Sequence, residues 1–122
     1  MRKSAVNPLE DLLRERVDAA LAELPYARRL LFGLPCFYAG PHLFAFIWEG
    51  ERLGLAFTDD EDAEALRSLP GAEPWFPSRR HGAVPKAVLL PEDLVEDEEA
   101  LAHWIQRAHA QAITAPARPS RR

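Results

Sequence analysis

The segment Leu43-Phe44-Ala45-Phe46-Ile47-Trp48 is apolar at every position. A strand that shows water on one face alternates apolar and polar residues. An unbroken apolar run instead reads as a central strand with cover on both sides. Its neighbours supply the turns such a strand needs. Ala39-Gly40-Pro41 precedes it, and Glu49-Gly50-Glu51 follows as a hairpin turn. On the N-terminal side, Arg29-Leu30-Leu31-Phe32 ends at Gly33, and Pro35-Cys36-Phe37-Tyr38 leads into the next turn. On the other side, Leu53, Leu55 and Phe57 alternate with Gly54 and Ala56, so one face is bulky and the other is open to close approach. Residues 28–58 thus read as three strands joined by turns.

Helices flank this block. Asn7-Pro8-Leu9-Glu10 combines an N-cap, a proline at the first helical position and an acid three residues after the cap. Leu9, Leu12, Leu13, Val17, Ala20, Leu21 and Leu24 then recur every three or four residues, one apolar helix face, and Pro25 stops the helix. Acids crowd the start of a second helix at Asp59, Asp60, Glu61 and Asp62, where the helix dipole favours them. Its stripe is Ala63, Leu66 and Leu69, and Pro70-Gly71 ends it. A loop through Pro74-Trp75-Phe76-Pro77 follows. Ala87-Val88-Leu89-Leu90 then reads as a buried strand between Pro85 and Pro91. A last helix from near Asp97 buries Leu101, Trp104, Ile105, Ala108 and Ala112. Grouped strands, rather than strands alternating with helices, indicate an α+β fold, α-β(3)-α-β(2)-α, with an antiparallel sheet covered by helices.

A chain of 122 residues is long enough for one core. The expected organisation is a flexible N-terminus over residues 1–6, one domain over 7–114, and a disordered basic tail over 115–122. That tail has two prolines and no apolar side chain larger than alanine. The net charge is −4, with 15 basic and 19 acidic residues. This argues against a general nucleic-acid binder, which needs a basic surface. The charge is uneven. Residues 31–77 carry −6 and 91–115 carry −5, while 78–90 and 116–122 each carry +3. No apolar run approaches the ~18 residues of a membrane span. The N-terminus lacks an apolar signal core, which predicts a cytoplasmic protein. The single cysteine excludes an intramolecular disulfide.

Residue chemistry alone marks no active site. His103 and His109 lie six apart on the last helix, roughly 120° around its axis, so they cannot chelate one metal together. Both read as solvent-exposed. His42 and His81 have no acid or cysteine at ligand spacing, and no metal or cofactor is expected. Cys36 reads as a small buried hydrophobe with no local group to stabilise a thiolate. The acid clusters at 59–62 and 96–99 sit at helix starts, where capping explains them. There is no phosphate loop, nucleophile elbow or HExxH motif. The segment Trp75-Phe76-Pro77-Ser78-Arg79-Arg80-His81-Gly82 is the exception. It sets two aromatics beside two arginines, a combination suited to stacking or anion contact. Trp75, Phe76, Arg79, Arg80 and Lys86 are therefore the candidate ligand-binding residues. The plain alternative is that Trp75 and Phe76 plug the core while the arginines are solvated.

Several segments together resemble the TfoX N-terminal domain family. They are Arg29-Leu30-Leu31-Phe32-Gly33-Leu34, Gly40-Pro41-His42-Leu43-Phe44-Ala45, Pro70-Gly71-Ala72-Glu73-Pro74-Trp75-Phe76, Ala87-Val88-Leu89-Leu90-Pro91-Glu92-Asp93-Leu94 and Leu101-Ala102-His103-Trp104-Ile105. They run in family order over about residues 9–113. Leu31 and Leu34 stand where the family usually has Met and Gly. The resemblance implies an α-β(3)-α-β(2)-α fold like that of secretion chaperones, a class in which dimers are common. Full-length TfoX proteins regulate bacterial competence. The resemblance carries over no catalytic residue.

These observations favour a non-enzymatic cytoplasmic interaction or regulatory domain that binds another protein. One alternative is a small-ligand or enzymatic site at the Trp75–Arg80 loop. Another is a weak DNA-associated regulator acting through Arg118, Arg121 and Arg122. A homodimer is expected as well. Three helices have a two-sided sheet to cover, which leaves some of Phe37, Phe44, Phe46, Trp48 and Trp75 on an exposed face for a second copy to hide.

Overall fold

The computed structural model describes residues 8–31, 33–49, 51–76, 82, 84 and 86–115. Asn7, the expected N-terminal segment, the expected tail apart from Ala115, and the arginines Arg79, Arg80, Arg118, Arg121 and Arg122 lie outside the described residues, as does His81. The elements run α1 (Pro8–Leu21), β1 (Ala27–Leu31), β2 (Leu34–Ala39), β3 (His42–Trp48), β4 (Arg52–Ala56), α2 (Asp60–Arg67), β5 (Glu73–Pro74), β6 (Ala87–Leu89), α3 (Glu92–Glu96) and α4 (Glu98–Thr114). The fold is α+β, and all six strands join one antiparallel sheet in the order β1-β2-β3-β4-β6-β5. The block between α1 and α2 makes four strands rather than three, and a short α3 precedes the last helix.

Local chemistry explains most boundaries. Pro8 opens α1, with Glu10 and Asp11 in its first turn. The Asp59 carboxylate accepts from the Glu61 amide to cap α2, and Asp97 accepts from the Ala100 amide to cap α4. The end of α1 differs from expectation. The helix stops at Leu21, four residues short of Pro25, because Ala22 takes a left-handed conformation (φ 49°) and reverses the chain. Leu24 is therefore off the helix and exposed. Leu9 and Leu12 are exposed as well, and the buried face of α1 is Leu13, Val17, Ala20 and Leu21.

The two faces of the sheet have different cover. Leu13, Val17 and Leu21 of α1, Leu66 of α2, Leu94 of α3 and Leu101, Ile105 and Ala108 of α4 all pack on one face. They meet Phe37, Ala45, Ile47, Leu53, Leu55 and Val88 there. The opposite face holds a smaller cluster of Cys36, Phe46, Trp75, Ala87 and Leu89. Its partly buried margin is Leu34, Tyr38, Leu43, Trp48, Ala56 and Val84, and among the described residues no helix contributes to it. Both faces of β3 are covered, as its apolar run requires, but one cover is the segment that starts at Trp75.

β3 does not alternate strictly. Phe37 pairs with Ala45 while Tyr38 pairs with Leu43, so Phe44 is an extra residue in the ladder. This bulge turns Phe44 to the helix side together with Ala45. Phe37, Phe44 and Phe46 are fully buried and Trp75 nearly so, leaving only Trp48 half-exposed among the five aromatics expected to border a dimer contact. The apolar side chains that do reach solvent lie elsewhere, at Leu30, Leu31 and Phe76 among others.

Candidate functional site

Trp75 is 6% exposed and lies across the helix-free face. Its ring centroid is 4.0 Å from Phe46 and 5.7 Å from Trp48. The Val84 amide donates to the Trp75 carbonyl (2.9 Å), pinning this cover to the chain that leads into β6. The sheet beneath is shaped to receive it. The Phe46 ring lies directly over Gly54, where a Cβ would overlap it. The Trp75 indole Nε1 is buried and finds no hydrogen-bond partner among the described residues.

The other candidate residues do not converge on Trp75. Phe76, its neighbour in sequence, is 53% exposed. Lys86 has a left-handed backbone (φ 68°), and its Nζ donates to the Thr58 carbonyl (3.3 Å) and pairs with Asp60 (3.8 Å). Its charge therefore ties the start of α2 to the turn before β6. Arg79 and Arg80 fall outside the described residues.

The remaining polar groups have structural partners. Cys36 is fully buried, and that burial pushes its thiol pKa up, away from the reactive thiolate. His109 corrects the expectation of two solvent-exposed histidines. His103 is exposed, but His109 is only 3% exposed. Its Nε2–H donates to the Pro25 carbonyl (2.7 Å), and its ring meets Phe44 edge-on at 5.2 Å. Asp62, also buried, accepts from Arg107 Nη2 (2.7 Å) and from the Gln111 amide. That hydrogen bond, and then the carboxylate charge, raise the Arg107 pKa. The Gln111 Oε1 accepts from the Thr58 and Asp59 amides (3.1 and 3.0 Å). Arg52 donates to Glu73 (2.9 Å) and to the Leu90 carbonyl (3.0 Å). Among the described residues, no three His, Cys, Asp or Glu side chains are placed to hold a metal ion, and no helix is long and apolar enough to cross a membrane.

Among the described residues, the edge of the sheet at β1 is left open. All five of its residues are exposed, Leu30 by 74% and Leu31 by 39%. The register of β1 against β2 shows which backbone groups face outward. Antiparallel partners alternate between hydrogen-bonded and non-hydrogen-bonded pairs. Leu30 lies opposite Pro35, which has no N–H, so that pair is non-hydrogen-bonded. Arg28 opposite Phe37 is then non-hydrogen-bonded too. The amides and carbonyls of Arg28 and Leu30 therefore point away from β2. Arg29 shares the helix-free face with Tyr38, its guanidinium 5.4 Å from the ring centroid. Arg28 joins Asp11, Arg14, Glu15 and Asp18 around a depression beside α1. This edge was not among the sequence candidates. Its signal was the position of β1 as the first strand of a meander that follows a helix, with no earlier strand among the described residues.

Neither the curated proteins nor the solved structures contain a significant match to the chain. The model of the TfoX N-terminal domain matches residues 19–112, from within α1 to the last turns of α4. The match takes in the whole sheet with its β1 edge, the Trp75 cover and, of the helix cover, α2, α3, nearly all of α4 and the last residues of α1, and the chain belongs to the TfoX N-terminal domain family.

Proposed function

We propose that this is a non-enzymatic interaction domain of the cytoplasm, a homodimer that regulates by binding another protein. The observation that supports this most is the β1 edge. A fully exposed strand with outward backbone donors and acceptors is a template for a further strand, and proteins ordinarily blunt such edges. The opposite edge is blunted in this way. β5 has two residues, one of them Pro74, and the other, Glu73, is tied to Arg52. The half-buried Tyr38 and Leu43 extend the apolar margin from β1 across the helix-free face. The buried Cys36 thiol suits a reducing compartment.

The test is affinity purification from the source cells with the wild-type chain and with Leu31→Glu, after matching the two for thermal stability. A partner recovered by the wild type and lost with Leu31→Glu is the expected result. Equal recovery by both, or recovery by neither, rejects the reading.

A further inference from the structure

We propose that the groove between α1 and the α3–α4 segment docks a basic amphipathic helix of a partner protein. This goes beyond the β1 edge, because it needs neither an added strand nor a second copy.

Two depressions follow one another along a single flank of α1. The first, of about 120 Å³, opens between Leu9 and Leu12 of α1 and Val95 of α3, above the buried Leu53 and Leu90. The second, of about 400 Å³, lies between Arg16 and Ala19 of α1 and Glu99 and Ala102 of α4. Residues 9, 12, 16 and 19 are three or four positions apart, so they share one side of the helix. Leu9 and Leu12 are 42% and 40% exposed, although the same helix buries Leu13 and Val17. From Leu9 to Ala20 the flank runs about 16 Å, three turns of helix. The charged flank of α1, with Asp11, Arg14, Glu15 and Asp18, lies toward Arg28 of β1 and is separate from the groove.

The charges around the groove choose its occupant. Among the described residues two arginines border it, and both are paired. Arg16 meets Glu98, and Arg52 donates to Glu73 and to the Leu90 carbonyl. Glu51, Glu92, Glu96 and Glu99 also border it. All four are exposed, and no ion pair among the described residues includes them. From Glu92 to Glu99 the chain has six acids and no base. An apolar floor beneath four unanswered carboxylates repels nucleic acid and acidic membrane surfaces. It attracts Lys or Arg set beside apolar anchors. The walls decide the conformation. They are mostly helices, whose backbone groups are bonded internally, so an extended segment finds few backbone partners there. A helix arrives with its own bonds made and lays apolar residues at i, i+3, i+4 and i+7 along the floor.

The test titrates a short Leu/Lys peptide, with leucines at i, i+3, i+4 and i+7, against the full-length chain at physiological salt. Binding is read by fluorescence anisotropy, and a second peptide carries Glu for every Lys. The wild type should bind the Lys peptide and not the Glu peptide. Leu12→Lys should weaken binding about tenfold or more. Glu92→Gln with Glu96→Gln should weaken it about threefold or more. Glu23→Gln with Glu61→Gln makes the same charge change on exposed residues outside the groove and should leave binding unchanged. Leu31→Glu should bind as tightly as the wild type, so failure of this site and failure of the β1 edge are separate outcomes. All variants are first matched to the wild type by circular dichroism, and if Leu12→Lys fails to fold, the two glutamate pairs decide. No binding, equal binding of the Glu peptide, equal weakening by the two glutamate pairs, or loss with Leu31→Glu overturns the proposal. Binding only after Arg2→Glu with Lys3→Glu would give the groove to the chain's own N-terminal segment. Binding only with the splitting of a dimer would give it to a second copy. Either result overturns the proposal as well.

Discussion

One face of the sheet is covered by four helices and the other by a single loop segment centred on one tryptophan. On the helix side, side chains from four separate elements interlock, so removing one leaves the others in place around a hole. On the other side, Trp75, Phe46 and Gly54 form a short stack in which each layer rests on the next. The first arrangement distributes its stability. The second concentrates it, and leaves the sheet uncovered toward β1.

Truncation on the helix side is the strongest challenge to this contrast. Phe37→Ala removes a fully buried ring that packs near Tyr26 and should cost about 3–5 kcal/mol in denaturant unfolding. A cost under ~1 kcal/mol would show that the helix side repacks freely. On the other face, Gly54→Ala forces a methyl into the Phe46 ring, which Trp75 holds from above. Such overpacking should cost about 1–3 kcal/mol. Part of that cost should disappear when Trp75→Ala is already present, since Phe46 can then lift. Strict additivity in the double-mutant cycle would refute the stack.

Cys36 probes the seal of the same face. Its folded pKa is raised, so the folded state holds the thiol proton more tightly than the unfolded state. That preference costs nothing below the unfolded thiol pKa of about 8.5 and opposes folding as the pH rises above it. Cys36→Ala should therefore lose less stability than wild type between pH 8 and pH 10. Alkylation of Cys36 should be slow until denaturant opens the fold. The smallest expected effect returns to the helix side. Ala22→Gly relieves the left-handed position that ends α1 and should add about 0.5–1 kcal/mol, read as a rise in unfolding midpoint.

Elements governed by short-range chemistry were readable in the sequence. Pro8, Asp59 and Asp97 mark helix starts because a cap involves residues two or three positions apart. The Ala87–Leu89 strand shows itself by its apolar run. The features missed depend on contacts distant in the chain. Nothing near His109 signals that the Pro25 carbonyl will bury it. Nothing beside Phe44 announces a bulge, because the run is apolar whichever way each side chain turns. Trp75 and Phe76 look equivalent in sequence, yet only Trp75 finds an aromatic bed, supplied by β3. Lys86 looked available to a ligand, but Thr58 and Asp60 hold its ammonium. Edge exposure is a property of the whole sheet order, and the local pattern Arg28-Arg29-Leu30-Leu31 does not encode it.

The first and last described helices close against each other. Gln106 donates to the Ala20 carbonyl, His109 to that of Pro25, and Arg16 meets Glu98, while Gln111 holds the start of α2. During synthesis, α1 leaves the ribosome long before its packing partner exists. Leu13, Val17 and Leu21 then have no lasting cover, and the four-strand meander forms with its helix-side face still wet. The core can seal only when α4 clears the exit tunnel. A ribosome that stalls within residues 90–110 would hold out a sheet with a bare apolar face, a substrate for chaperones rather than a partly working domain.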